Sequence, residues 1–394
     1  MTKYIGVTGS VGKSTTVHLI AMLLRNYNFT VHEATTDEEI TGALGKTDVD
    51  FVIVEFSNRA AVAFESVSLD ISVLLNVNNQ LHSDETTEDE YSSNFAKVYE
   101  NTKGYCVFNA SDRKTDELVQ EAEVVEGTRA VGFCKFSPKR GQIGVVEGVV
   151  TDRAFYADEK DPLRFLSASE VFDFWNFDNL KGPNGVIPNF LVDDILAAVV
   201  VAKASGVSSE SIAQAMHQFS AFPGQNELVF RRDLSIEPNT SLGEVLYVND
   251  VKSITPVSTF ATMSCYRKNS VILICGGETQ GLNYSKFVEQ AQEYLLGVVL
   301  VGSHNSPLYQ LLRAKTPNIP VYVVEPNVGL EWVDNAVDQA NKLIFGNDIV
   351  LLSPAADVSR FNSVEDVSAR FWQKVEQLHT ELTEISERLG LLKH

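Results

Sequence analysis

Tyr4-Ile-Gly-Val7 runs straight into Thr8-Gly9-Ser10-Val11-Gly12-Lys13-Ser14-Thr15-Thr16, which is followed by the amphipathic stretch Val17 to Leu24. A short apolar run, a glycine loop and a 3.6-period pattern predict strand, loop and helix. Such a loop can turn backbone N–H groups toward a polyphosphate at the positive end of the helix, while a lysine reaches the outer phosphates and a serine hydroxyl ligates Mg²⁺. The chemistry suits ATP, with Gly9, Ser10, Gly12, Lys13, Ser14 and Thr15 as the nucleotide-binding set. Val7 stands where the strict GxxxxGK[ST] pattern has its first glycine, and Gly6 precedes it.

Outward from this loop, Phe51-Val-Ile-Val54 predicts a second strand ending in Glu55. Ile71 to Leu75 predicts a third, ending in Asn76-Val77 before a polar segment that contains His82. Ligands gather at the carboxyl ends of strands in parallel α/β sheets, so Glu55 and His82 are placed as candidate metal ligands. Taken alone, Glu55 reads more often as a solvated strand end and His82 as a surface histidine. The acidic cluster Asp84, Glu85, Glu88, Asp89 and Glu90 reads as a solvated face, and Lys97, within the helical segment Tyr91 to Glu100, as a surface lysine.

The 394 residues suggest two or three domains. With 44% hydrophobic and 21% charged residues, and no apolar run near membrane-spanning length, the chain reads as globular, without a membrane span. A net charge of −20 repels a phosphate backbone and argues against general nucleic-acid binding, so any bound phosphate must be held locally. Four cysteines without CxxC spacing, and no basic-then-apolar leader, suggest neither a disulfide framework nor a zinc site; a reducing cytoplasm is the expected address.

Taken in order, these segments resemble the Mur ligase family, the ATP-dependent ligases that extend the peptide of peptidoglycan precursors, and within it most closely the members that add D-glutamate. The loop is similar to TGSNGKST, and Val54-Glu55-Phe-Ser57 to the family's strand-ending glutamate and serine. Leu75-Asn-Val77 with His82 resembles LNVTEDHMD with one residue inserted. Phe95-Ala-Lys97-Val-Tyr-Glu-Asn101 resembles the segment carrying a carbamylated lysine. Gly185-Val-Ile-Pro-Asn189 with Asp194 and Leu196-Ala-Ala198 resembles GxHNxxNxLAA, and Ala221-Phe-Pro-Gly-Gln225-Asn-Glu227 the joint between central and last domains. Tyr247-Val-Asn-Asp250-Val-Lys252-Ser253 resembles WINDSKAT. Ile272-Leu-Ile-Cys-Gly-Gly277 resembles LLLGG, and Leu352-Ser-Pro-Ala-Ala356 with Phe361 resembles LLSPACASxDxF.

The resemblance implies an α/β protein: a parallel-sheet P-loop ATPase domain at 1–221 followed by a Rossmann-like α/β domain with a helical tail at 222–394. It implies that Lys13 and the loop bind ATP phosphates, that Ser14 and Glu55 ligate one Mg²⁺, and that His82 and a carbamate on Lys97 complete a second. Asn189 would help hold adenine and Asp250 would meet the ribose. Lys252 would sit at the reacting groups, and Ser359 would face the incoming amino acid. The expected activity is amide-bond formation through an acyl phosphate, in peptidoglycan precursor or related cell-wall peptide synthesis, using a small carboxylate acceptor and an amino acid.

Four departures shape this expectation. The loop begins near Met1, so the domain that grips the acceptor's uridine nucleotide is expected to be missing. Val11 replaces the loop's asparagine and Gln225 the joint's arginine, which glutamine cannot match as a cation. Gln280 stands where a lysine would meet D-glutamate, and the segment around His82 lacks the usual arginine. A second reading is therefore a degenerate or partner-dependent Mur-like protein that binds ATP without ligating alone, its acceptor site supplied by another polypeptide.

Ala130 to Leu166 predicts a small appended sheet and Asn189 to Ala204 a buried helix. The runs Val271 to Cys275, Gly297 to Val301, Val321 to Val324 and Ile349 to Leu352 alternate with helical patterns, as in a Rossmann-like sheet. A cleft closing between the domains is expected from the joint at Phe222 to Leu228. After Phe371, Val375, Leu378, Leu382, Ile385 and Leu389 follow heptad spacing, read either as a helix packed on its own domain or as a self-association seam.

Overall fold

The computed structural model describes residues 2–43, 45–57, 68–78, 88–122, 124, 126–155, 168–234, 243–279, 281–326, 329–359 and 361–388. Contacts divide the chain into two units. The first holds residues 1–180 and 189–220; the second holds 181–188 and 221–394.

In the first unit, β1 (Lys3–Thr8), β3 (Phe51–Glu55) and β4 (Leu69–Leu74) carry Val, Ile and Leu and are buried along most of their length, and β5 (Thr102–Asn109) is buried from Cys106 onward. Strands covered on both faces read as such unbroken apolar runs, the mark of a parallel sheet. With β2 (Val31–Ala34) they pair in parallel in the order β2-β3-β1-β4-β5. The stretch expected as a small appended sheet instead continues this one. β6 (Arg129–Phe133) adds in parallel to β5, β7 (Gln142–Val146) pairs with β6, and β8 (Val149–Asp152) and β9 (Ser169–Asp173) follow antiparallel, giving nine strands. The reason is an open β6 edge and a two-residue turn, Glu147-Gly148, with φ of 50° and 90°, which folds β8 back on β7.

Two helices cover the sheet where it meets the glycine loop. α1 (Lys13–Asn26) buries Val17, Leu19, Ile20, Leu23 and Leu24. α2 (Asp37–Ala43), α3 (Glu88–Ala96) and α4 (Arg113–Glu121) follow. α5 (Asn189–Ala204) is apolar on nearly every side, with Ile195 through Ala202 all buried, and packs along α1 and over β5 and β6. α6 (Ser209–Met216) is capped by the Ser208 hydroxyl.

In the second unit, β10 (Glu227–Asp233), β11 (Glu244–Asn249), β12 (Val271–Gly276), β13 (Leu295–Val301), β14 (Val321–Val324) and β15 (Ile349–Leu352) form a sheet ordered β10-β11-β15-β12-β13-β14, parallel except for β10. Alternation along β12 sends Ile272 and Ile274 to one face and Val271, Leu273 and Cys275 to the other. The helices are α7 (Pro256–Met263), α8 (Ser285–Ala291), α9 (Pro307–Lys315), α10 (Glu331–Asn341) and α11 (Val364–Arg388). Gly276 and Gly277 are needed for packing: a Cβ on Gly276 would lie 2.1 Å from the Val301 carbonyl, and one on Gly277 2.6 Å from that of Asp357.

The helical tail packs on its own unit as far as its side chains are described. Val367, Phe371 and Val375 are buried in the core that contains Trp332, and Leu378 packs against it. Arg370 pairs with Asp334, and Lys374 with Asp338 at 2.8 Å, tying α11 to α10. Leu389, at the end of the heptad pattern, lies outside the described residues.

Candidate functional site

Pairing places the loop and the carboxylate side by side. Val7 of β1 is in register with Glu55 of β3, so both strands end at the same level. The chain then turns through Gly9 (φ 149°) and the left-handed Gly12 (φ 86°), which serves as the N-cap of α1 without any side-chain cap. Gly12 brings no side chain to cap the first turn of α1, the arrangement that favours an anion at the helix start. Ser14, exposed on that first turn, donates its hydroxyl to Glu55 Oε2 at 2.8 Å. Lys13 folds back so that Nζ donates to Gly9 O at 2.9 Å. Burial lowers the pKa of this ammonium, and the Glu55 carboxylate opposes that shift. Gly9, Ser10, Gly12, Lys13, Ser14, Thr15 and Glu55 thus form one cluster around the loop.

A wall of polar side chains behind the loop holds it in shape. Asn76 Oδ1 accepts the Val11 N–H at 3.0 Å, Asn76 Nδ2 donates to Val11 O at 3.0 Å, and Asn76 O accepts the Ser10 N–H. Ser10 Oγ accepts the Asn78 N–H at 2.8 Å. Asn76 is itself positioned from β5: Asn109 donates to Leu75 O, and Asp112, which also caps α4, accepts the Val77 N–H. Asp194 of α5 meets the other side of the loop, accepting from the Thr16 hydroxyl at 3.3 Å. The roles of Asn76, Asp112 and Asp194 were not assigned from sequence; the pairing of Leu75-Asn76-Val77 with a strand end was the available signal.

The remaining candidates are placed differently. Lys97 opens a single 3₁₀ turn, Lys97–Tyr99, that breaks the expected helix, and it is half-buried with no hydrogen bond among the described residues to Glu55 or the loop. Asn189 is exposed at the start of α5. His82, the acidic residues Asp84 and Glu85, and Gln280 lie outside the described residues. Among the described residues no three His, Cys, Asp or Glu side chains gather as a metal centre. The Ser14 hydroxyl and Glu55 carboxylate are hard oxygens at bonding separation, a donor set that suits Mg²⁺.

In the second unit, Asp250 is fully buried at the end of β11. Its Oδ1 accepts the Asn226 N–H at 2.9 Å and its Oδ2 the Ser353 hydroxyl at 2.7 Å. Burial raises its pKa to about 6, against hydrogen bonds that favour the charged form. A sugar hydroxyl can reach this carboxylate only if that network opens. Lys252 is exposed, its Nζ 5.2 Å from the centre of the Phe222 ring, and its N–H donates to Gly224 O in the joint segment. Ser359 is exposed, its N–H held by the Asp357 carboxylate.

Comparison with known proteins gives the constellation its relatives. Residues 7–202 match the Mur ligase middle domain. A UDP-N-acetylmuramoylalanine–D-glutamate ligase of Bifidobacterium longum subsp. infantis is 27% identical over 391 residues, covering 95% of this chain and 79% of the relative. Among solved structures, MurF from Acinetobacter baumannii superposes with a TM-score of 0.63 at 15% identity, over 94% of this chain and 76% of that one. MurF ligase from Thermotoga maritima in complex with ADP superposes with a TM-score of 0.59 at 14% identity, over 95% and 81%. No helix among the described residues is long and apolar enough to cross a membrane. The chain belongs to the Mur ligase family.

Proposed function

We propose that the protein is an ATP-dependent, ADP-forming ligase that joins a carboxylate acceptor to an amino acid during synthesis of a peptidoglycan precursor or a related cell-wall peptide. The observation that carries this reading is the Ser14–Glu55 pair beside an uncapped helix start and Lys13, all at the carboxyl ends of parallel strands. The loop amides and Lys13 hold the phosphates of ATP, and the lysine offsets charge as the γ-phosphoryl group transfers. Ser14 and Glu55 would hold Mg²⁺, which when bound neutralises charge on the phosphate oxygens. His82 and a carbamate on Lys97 would provide a second Mg²⁺ site; adding CO₂ to the amine turns a cation into an anionic oxygen ligand.

The acceptor's carboxylate oxygen forms a bond to the γ-phosphorus while the bond to ADP breaks, giving an acyl phosphate. The amino acid's neutral amine then attacks the acyl carbon through a tetrahedral intermediate, phosphate leaves with the bonding pair, and the nitrogen releases a proton. Asn189, Asp250, Lys252 and Ser359 are proposed to contact adenine, ribose, the reacting groups and the amino acid respectively. In Glu55→Gln and Lys97→Ala variants, phosphate release should fall at least about 100-fold while ADP without Mg²⁺ still binds, because each change removes a proposed metal oxygen. Full activity in either removes that residue from the mechanism. Val11 and Gln225 favour a second reading, ATP binding without autonomous ligation; activity that appears only with a copurifying protein would select it.

A further inference from the structure

Asp194 stands outside the catalytic roles above, yet its carboxyl touches the phosphate loop from behind. An ideal Cβ on Gly12 would lie 2.2 Å from Asp194 Oδ1, 3.1 Å from Cγ and 3.3 Å from Oδ2, so the carboxyl fills the space that a side chain at Gly12 would need. The residue is 4% exposed. Among the described residues, Oδ1 has one long hydrogen bond, from Thr16 Oγ1 at 3.3 Å, and Oδ2 is buried without a hydrogen-bond partner. The nearby cation Lys135 is engaged by Asp193, 2.6 Å from its Oδ2.

We propose that Asp194 is a proton-linked positioning residue: its carboxyl supports Gly12 and the start of α1, and the loop holds nucleotide phosphate best while that carboxyl carries its proton. This rests on the reading of the loop as an ATP site. An ionised carboxylate here would sit in a dry pocket with one weak donor and, among the described residues, no cation of its own, against the loop proposed to hold the phosphates. Both the burial and the nearby phosphate charge disfavour it. The neutral acid supports the loop without either cost.

The groups around Asp194 agree. From α1 it meets Gly12 and Thr16, neither of which titrates. The charged groups acting on it are Asp193 of its own helix and Lys135 after β6, while Asp112 before α4 acts on Asp193. Burial first, and Asp193 second, push the Asp194 pKa well above the usual carboxylate range; the Thr16 hydroxyl and Lys135 only partly oppose them.

The test is calorimetry of Mg-ADP binding by the full chain and by Asp194→Asn, which copies the shape of the neutral acid, from roughly pH 5 to 9, the span in which buried carboxyls titrate. After correction for the nucleotide's own ionisation, common to both proteins, wild-type affinity should fall by up to about tenfold per pH unit above the Asp194 titration. The variant should keep the low-pH wild-type affinity throughout. Net proton uptake on binding by wild type, read from buffers of different ionisation enthalpy, gives the same answer if the variant does not fold. Parallel profiles in the two proteins, or zero net uptake, would overturn this proposal alone. No ADP binding by either protein at any pH would overturn the ATP-site reading and this proposal with it.

Discussion

Gly12 in the phosphate loop and Asp250 in the second unit show how much single residues decide. Gly12 combines a left-handed φ of 86° with a carboxyl oxygen 2.2 Å from its missing Cβ. Gly12→Ala should therefore cost about 1–3 kcal/mol in denaturant unfolding and weaken ADP binding at least tenfold. Gly42, in helix α2 with nothing within 4 Å of a Cβ, is the matched control; Gly42→Ala should be neutral or slightly stabilising. Unchanged stability in Gly12→Ala would show that the loop does not need its present shape.

Asp250 makes a pH prediction. Its pKa rises from 3.8 to about 6 on folding, so the native state binds more protons than the unfolded chain between those values. Stability is greatest below the unfolded value and falls as pH rises through about 6, by up to about 3 kcal/mol from this group. Asp250→Asn should flatten that part of the stability-versus-pH curve, and an unaltered slope would contradict the assignment. The loop was readable from sequence because Gly9 to Thr16 are contiguous. The supports supplied by Asn76, Asp112 and Asp194 were not, since they reach the loop from 65 to 178 positions away.

Among the elements, α5 joins core to site. Its apolar surface buries Ile195 to Ala202 against α1 and the sheet, and the same helix delivers Asp194 to the loop. Leu196→Ala should cost about 2–5 kcal/mol, the range for a buried leucine truncated without collapse of its surroundings. A loss below about 1 kcal/mol in chemical denaturation would place α5 outside the cooperative core. This helix and the strands of the second unit were legible because unbroken apolar runs leave few alternatives. Two features were not. The helix expected through Glu100 breaks into a 3₁₀ turn at Lys97, a change that apolar spacing does not encode. β7 to β9 joined the main sheet because edge pairing is decided by which strand lies open, and alternation within β7 carries no record of its neighbour.

For the whole molecule, a net charge of −20 works against binding a polyphosphate, so the proposed ATP site would draw its affinity from local donors: helix N–H groups, Lys13 and a Mg²⁺ that Ser14 and Glu55 would hold. Family membership supports the proposed ligation, and under that proposal the departures at Val11, Gln225 and Gln280 are expected to bear on rate and amino-acid choice. The most direct measurement is phosphate release from Mg-ATP by the purified chain, with a panel of amino acids and with or without UDP-N-acetylmuramoylalanine as acceptor. The ligase reading predicts release that requires both the acceptor and one particular amino acid. No release with any pair, alongside clear binding of ADP, would contradict it.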